Sequence, residues 1–180
     1  MTKGTVKGGG NVSPPGRRAG ARYSSCGLYR YRLWRSWSGG SGVLTWIMLN
    51  PSTADHLGNN DPTIERCERR ARLWGFTRVE IVNLFALRSP DPRALKLAAD
   101  PIGPENDGAI LEAIAGAGLI LCGWGALGSR GGRDAAVLRL LEDRPLACLG
   151  RTRAGAPVHP LYIPYDRIPT TYCAAGPARS

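Results

Sequence analysis

The sequence predicts an α/β protein in which helices cover both faces of a central, four-stranded parallel sheet, giving a three-layer α/β/α arrangement. Short apolar runs of the length of buried strands alternate along the chain with amphipathic segments at helical spacing. The length of 180 residues suits one domain with a substantial core. Because strands and helices alternate, the strands are expected to be joined by crossover connections and to run parallel.

The N-terminal residues 1–22 are rich in glycine, proline and basic side chains and contain almost no large apolar residue. This composition is typical of disorder, so we expect a basic arm there. A single domain is expected to span residues 23–172, and a flexible tail is expected at residues 173–180.

Residues 28–37 alternate aromatic or apolar side chains with arginines, which predicts a strand with one cationic face. A glycine-rich turn leads from this strand into the next apolar run, so we expect an N-terminal antiparallel hairpin between residues 28–37 and 43–49. The cationic face, with Arg30 and Arg32, has two interpretations. It is either an edge that meets DNA or an edge protected by charge against aggregation.

The apolar run at residues 43–49 predicts the first parallel strand, and it ends abruptly in the polar sequence NPSTAD. Proline cannot donate to a strand ladder, and asparagine, serine and threonine favour turns and helix caps. Asp61 is a candidate cap and Pro62 a candidate first residue for the helix that follows, which is expected to end near Gly75.

Three further strands are expected at residues 79–85, 119–122 and 146–149, with helices at 91–97, 104–115 and 133–141. Asn83 interrupts the second of the parallel strands. A buried amide is costly unless it is paired, so this residue is either a structural hydrogen-bonding group or a reader of a ligand. Since parallel strands end at one edge of a sheet, one site could gather Asn50, Asp55, Asn83 and His159.

The charge of the chain indicates a nucleic-acid partner. Lys and Arg number 24 against 14 for Asp and Glu, which gives a net charge of +10. Arginine outnumbers lysine, which favours contacts with phosphates and bases. The cysteines are scattered without a C-x-x-C pair, and no dinucleotide-binding, Walker or nucleophile-elbow motif is present. We therefore expect no disulfide framework, metal or cofactor. Without a signal peptide or membrane-spanning stretch, a cytoplasmic protein that does not bind membranes is expected.

The motifs MLNPSTAD, NDPT, NLFALR, WG and GAPVHPLY, within about residues 29–162, resemble those of a bacterial and phage family of formerly unknown function. LNPSTAD and HPLY also resemble the two motifs of the uracil-DNA glycosylase superfamily, in which glycine stands at the position of Leu49 and serine at that of Leu161. NLF resembles the strand whose asparagine reads the base. The resemblance implies a uracil-DNA glycosylase-like fold and a monofunctional DNA glycosylase. Such an enzyme flips a base out of DNA, hydrolyses its N-glycosidic bond and leaves an abasic site.

The resemblance also suggests roles for individual residues. Asn50 would position the attacking water, and His159 would donate a hydrogen bond to the leaving base. Asp55 and Asp61 are candidate carboxylates for activating the water. Candidate base-binding residues are Asn83, Phe85, Trp124 and Ser52. Leu161 and Tyr162 are candidates to wedge into the DNA stack, and the candidates for phosphate contacts are Arg88, Arg151 and Arg153.

The departures from the glycosylase motifs at Leu49 and Leu161 disfavour plain uracil as the substrate. A modified pyrimidine, such as a hypermodified base of phage DNA, is the preferred expectation, and its excision would serve antiviral defence. The expected partner is duplex or single-stranded DNA, and the chain is expected to be a monomer. Two other functions stay open: a nucleic-acid-binding module without catalysis, and an enzyme acting on free modified nucleotides.

Overall fold

The computed structural model describes residues 16–52, 54, 55 and 57–172. These residues form three α-helices: α1 (Pro62–Leu73), α2 (Asn106–Ala115) and α3 (Arg133–Leu140). Short 3-10 segments lie at Pro92–Lys96, Ala126–Gly132 and Pro160–Tyr162. The strands are β1 (Arg18–Tyr23), β2 (Arg30–Ser36), β3 (Val43–Met48), β4 (Arg78–Asn83), β5 (Leu119–Cys122), β6 (Ala147–Cys148) and β7 (Thr170–Thr171).

The strands form one seven-stranded sheet in the order β1-β2-β4-β3-β5-β6-β7. The four central strands β4, β3, β5 and β6 run parallel to one another, whereas β2 pairs antiparallel with β4, and β7 with β6. The predicted α/β class is therefore confirmed. The sheet differs from the prediction of four parallel strands and one antiparallel hairpin strand in having seven strands, three of them antiparallel to a neighbour at the two sides of the parallel set.

The alternation of side chains along the strands builds one core on each face of the sheet. On one face Leu44 and Trp46 of β3 and Ile81 of β4 pack with the apolar side of α1. On the other face Ile47 and Val82 pack with α2 and α3. Strands buried on both faces require apolar residues at nearly every position, which explains the continuous apolar runs of the sequence.

The predicted hairpin between residues 28–37 and 43–49 is wrong. Strand β2 lies between β1 and β4 and pairs antiparallel with both, while β3 has parallel partners on its two sides. The physical reason is burial: β3 is apolar on both faces and therefore occupies the centre of the sheet, leaving the more polar β2 farther out.

The position of β2 also corrects both interpretations of its arginines, because β2 is not an edge strand. Arg30 and Arg35 are fully buried, and Arg32 forms an ion pair with the buried Glu80. The edge strand on this side of the sheet is β1, which lies mostly within the segment expected to be disordered. Pairing with β2 orders residues 18–22, so the structured domain starts before residue 23. The remainder of the predicted arm, residues 1–15, and the predicted tail, residues 173–180, lie outside the described residues.

Candidate active site

A cavity of about 170 Å³ lies at the C-terminal edge of the parallel strands. Its walls include the apolar side chains of Met48, Ile64 and Ile81. Cavities of roughly 150 Å³ can hold benzene, so this one has room for a six-membered ring. The polar residues of the lining come from four parts of the chain: Arg30, Asn50, Ser52, Thr63, Asn83, Ser89 and His159.

Four of the predicted site residues therefore meet in one cavity. Asn50 and Ser52 follow β3, Asn83 is the last residue of β4, and His159 follows β6. The sequence separates Asn50 from His159 by more than one hundred residues, and the parallel topology brings them together. The site is thus built where open α/β sheets bind their ligands.

The side chain of Asn50 is held by two backbone carbonyls. Its Nδ2 donates to the oxygen of Pro51 at 3.1 Å and to that of Ser89 at 2.9 Å. Ser89 N in turn donates to the Pro51 oxygen at 3.1 Å, which ties together the loops after β3 and β4. No group within the described ranges donates to Oδ1 of Asn50, so this oxygen is available to accept a hydrogen bond from water.

Asn83 is 2% exposed, and its side-chain Nδ2 has no hydrogen-bond partner among the residues that the structure describes. The backbone around it is fixed. Asn106 Nδ2 donates to the carbonyls of Asn83 and Leu84, both at 3.0 Å, and Arg133 Nε donates to that of Leu84 at 2.7 Å. A buried amide whose Nδ2 is unpaired, on a fixed backbone and in the lining of a cavity, is what a reader of a ligand requires. This observation argues against the structural alternative for Asn83.

The protonation of His159 is set by its backbone. Its Nδ1 accepts a hydrogen bond from Leu161 N at 3.3 Å, so the proton of the neutral ring lies on Nε2. Burial lowers the pKa of His159, an effect that the nearby Asp61 opposes. The neutral imidazole is therefore favoured near neutral pH, with Nε2–H as its donor.

Glycine allows the loop of His159 to pack against β5. A Cβ placed on Gly123 would lie 3.2 Å from Cδ of Pro160 and 3.1 Å from Sδ of Met48. A side chain there would require Met48 or Pro160, the residue after His159, to shift by a few tenths of an ångström.

Asp61 lies behind the lining of the cavity. One carboxylate oxygen accepts from Thr63 N at 2.8 Å and Ile64 N at 2.9 Å, which confirms the predicted cap of α1. The other accepts a hydrogen bond from the hydroxyl of Ser52. Asp61 can therefore act on a molecule in the cavity through Ser52.

Asp55 does not line the cavity. Its carboxylate accepts hydrogen bonds from the backbone of Leu57 at 2.9 Å and from that of Asn59 at 3.1 Å, which stabilises the loop before α1. The structure thus separates the two candidate carboxylates: Asp61 reaches the site through Ser52, and Asp55 orders a neighbouring loop.

Phe85 and Trp124 do not stack in the cavity, which corrects the expectation for both. Each is 2% exposed and belongs to the core on the α2 and α3 side of the sheet, opposite α1. Trp124 packs edge-on against Tyr172. Leu84 continues the alternation of β4 into that core, but the alternation ends there, because Phe85 lies in the same core as Leu84 while Asn83 lines the cavity.

The remaining predicted residues lie near the mouth of the site or on its flanking loops. Arg88 lines an open groove of about 410 Å³ that shares Ser52, Ser89 and Pro90 with the cavity. Tyr162, two residues after Pro160, is 82% exposed, and Leu161 is partly exposed. Arg151 and Arg153 are exposed on the loop that leads to His159.

Arg30 lines the cavity but was not predicted as a site residue. Tyr23 of β1 is opposite Arg30 and Arg22 is opposite Arg32, so Tyr31 is an extra residue in β2. This bulge breaks the alternation and places Arg30 and Arg32 on different faces of the sheet. The sequence YRYRL reads as regular alternation, and no glycine marks the irregularity.

Residues 16–52, 54, 55 and 57–172 contain no helix of the length and apolar character needed to cross a membrane. They also contain no group of three or more His, Cys, Asp or Glu side chains arranged to hold a metal ion.

Comparison with known proteins gives one result. The model of a family described as "Protein of unknown function (DUF1643)" matches residues 30–161, a segment that begins at Arg30 and includes Asn50, Asn83 and His159. Searches of curated proteins and of solved structures found no match. Because the matched segment is well over half of the chain, the protein belongs to the DUF1643 family, whose function is unknown.

Proposed function

We propose that this protein is a monofunctional DNA glycosylase that takes a flipped pyrimidine into the cavity and hydrolyses its N-glycosidic bond. The observation that carries the proposal is the unpaired, buried amide of Asn83 in a ring-sized cavity that also contains Asn50 and His159. The motif resemblance to uracil-DNA glycosylases supports it independently of this geometry.

Asn83 would recognise the base. A pyrimidine presents a donor and an acceptor side by side on its pairing edge, and a side-chain amide offers the complementary pair. The apolar walls formed by Met48, Ile64 and Ile81 would contact the ring faces. An amide can pair with either a uracil-like or a cytosine-like edge, so substituents on the ring must contribute to the choice of substrate.

His159 and Asn50 would act on the two products of bond cleavage. When the bond between C1′ and the base nitrogen breaks, its electron pair stays on the base, and Nε2–H of His159 would stabilise that charge. A water held by Oδ1 of Asn50 would supply the oxygen that bonds to C1′. Its released proton would pass through the hydroxyl of Ser52 to the carboxylate of Asp61.

The test is an abasic-site assay without added metal. DNA containing uracil, 5-hydroxymethyluracil, 5-hydroxymethylcytosine or glucosylated 5-hydroxymethylcytosine is incubated with the protein and then cleaved with alkali. We expect one modified pyrimidine to be released, and release to be abolished by Asn83→Leu and by His159→Ala. Asp61→Asn provides a graded comparison, because asparagine keeps the helix cap but cannot accept the proton.

Three outcomes separate this proposal from its alternatives. Release of a modified base from phage DNA would support a role in antiviral defence. Salt-sensitive DNA binding without release of any base would favour a binding module. Release from free nucleosides but not from DNA would favour an enzyme of nucleotide metabolism. Either of the last two results would overturn the glycosylase proposal.

A further inference from the structure

Arg30 is a buried cation for which the described residues provide no ion-pair partner. Its side chain lines the cavity, the residue is 1% exposed, and one guanidinium nitrogen donates to the backbone oxygen of Ala54. Its Nε has no hydrogen-bond partner, and no carboxylate forms an ion pair with Arg30 in the part of the chain that the structure describes.

The surroundings of Arg30 do not neutralise it. Burial lowers its pKa to about 10; Arg88 and Arg35 act in the same direction, and Tyr23 and Asp61 oppose them. Asp61 already accepts three hydrogen bonds, from Ser52, Thr63 and Ile64. A buried, unpaired charge destabilises a folded protein, and an anion entering the cavity would remove this penalty.

We propose that Arg30 determines specificity by binding a negatively charged pyrimidine in the cavity. This inference extends the proposed glycosylase function. The charge has two possible sources: the electron pair left on the ring when the glycosidic bond breaks, or an anionic substituent that the base carries beforehand. In both cases the guanidinium gains an ion pair with the anion, whereas a neutral pyrimidine can only accept a hydrogen bond from it.

Binding of free pyrimidines tests the inference without requiring catalysis. Calorimetry at pH 8 would compare three probes: 5-nitrouracil, which is a ring anion; 5-carboxyuracil, whose carboxylate is attached to a neutral ring; and uncharged thymine. We expect at least one anion to bind about tenfold or more tightly than thymine. Arg30→Met should abolish this preference.

Arg35→Met is the matched control, because Arg35 is also a buried arginine of β2 but does not line the cavity. It should keep the preference for the anion. If Arg30→Met does not fold, as judged by circular dichroism, Arg30→Lys keeps the charge and should retain part of the preference.

A preference for 5-nitrouracil would identify the departing ring as the source of charge, and a preference for 5-carboxyuracil would identify a substituent. Equal binding of all three probes, or an anion preference that survives Arg30→Met, would overturn the inference. If Arg30-dependent anion binding is found but the abasic-site assay is negative, the inference stands and the glycosylase proposal fails.

Discussion

Asn83 occupies a position that would be more stable with an apolar side chain. Its amide is buried at the end of β4, and Nδ2 has no partner among the described residues. An unsatisfied buried donor costs roughly 1–3 kcal/mol. Proteins tolerate such a cost where function requires it, so stability and function should respond in opposite directions when this residue is changed.

We therefore predict that Asn83→Leu raises the free energy of unfolding by about 1–2 kcal/mol while abolishing base recognition. The leucine side chain is similar in shape and removes the unpaired polar group. Urea denaturation measures the stability, and the abasic-site assay measures the function. The control is Asn106→Leu, which deletes two hydrogen bonds to carbonyls at the end of β4 and should be destabilising. A loss of stability in Asn83→Leu would instead indicate a structural role.

The pKa of His159 predicts how the rate of excision should depend on pH. Its pKa lies below the ordinary value of 6.5, so the neutral form persists to lower pH than for a free histidine. Protonation of Nδ1 would also replace the hydrogen bond from Leu161 N with a repulsion between donors. Single-turnover excision should therefore stay constant as pH falls to 6.5 and decline only below it. A decline that begins above pH 6.5 would contradict a neutral His159 as donor.

At the scale of elements, helix α1 fixes the loop that contains His159. Arg70 Nη2 donates to the carbonyls of Ile163 at 2.6 Å and Pro164 at 2.9 Å, and Arg66 Nη1 donates to that of Ile163 at 3.0 Å. The ring of Tyr165 lies under the guanidinium groups of both arginines. Arg66 and Arg70 therefore order the segment after the HPLY motif.

We predict that Arg70→Met increases hydrogen exchange at residues 161–163 by several-fold and slows excision without changing the overall fold. The loss of two hydrogen bonds to carbonyls would let the loop move away from the sheet. The hydrogen bond from Leu161 N to Nδ1 of His159 would then break more often. Arg69→Met is the matched control, since Arg69 contacts Tyr165 only through its ring face. Equal exchange in the two variants would show that Arg70 does not hold the loop.

The elements predicted best from sequence are those determined by local chemistry. The cap and proline of α1 and the four apolar runs of the parallel strands behave as their residues predict. The partner of β2 depends on which strand needs the most burial, and the bulge at Tyr31 depends on the register with β1. Both are properties of the assembled sheet. For this reason Asn50, Asn83 and His159 could be placed together from sequence, whereas Arg30 could not.

On the scale of the whole molecule, Glu68 joins the edge strand to the rest of the domain. Its carboxylate accepts from Arg17, Arg72 and Asn60 at 2.7–2.9 Å. Burial alone would raise the pKa of Glu68, but these hydrogen bonds outweigh it and lower the pKa to about 2. The interaction connects residues just before β1, the loop before α1, and α1 itself.

This pKa predicts the acid sensitivity of the fold. The folded-state pKa of Glu68 lies below its ordinary value of 4.5. Its contribution to the free energy of unfolding is therefore fully present above pH 4.5 and is lost as pH falls towards 2. We expect Glu68 to contribute roughly 2–3 kcal/mol at neutral pH. Glu68→Gln should lower stability at pH 7 and flatten the decline between pH 4.5 and 2. A parallel decline in the variant and the wild type would assign the acid sensitivity to other carboxylates.

The net charge of +10 leads to a prediction about the whole surface. If Arg153 contacts a DNA phosphate beside the cavity, each such contact releases counterions, and the logarithm of affinity should fall linearly with the logarithm of salt concentration. Arg153→Gln should make that slope shallower by about one, since one phosphate contact is lost. Fluorescence anisotropy with a short DNA duplex measures the affinity at each salt concentration.

Arg139→Gln is the control, because Arg139 is exposed in the last turn of α3, on the sheet face opposite α1 and the cavity. The slope should not change in that variant. Equal effects of the two substitutions would mean that DNA is attracted by total charge alone. A local effect of Arg153 would place the nucleic acid beside His159, where a flipped base could enter the cavity.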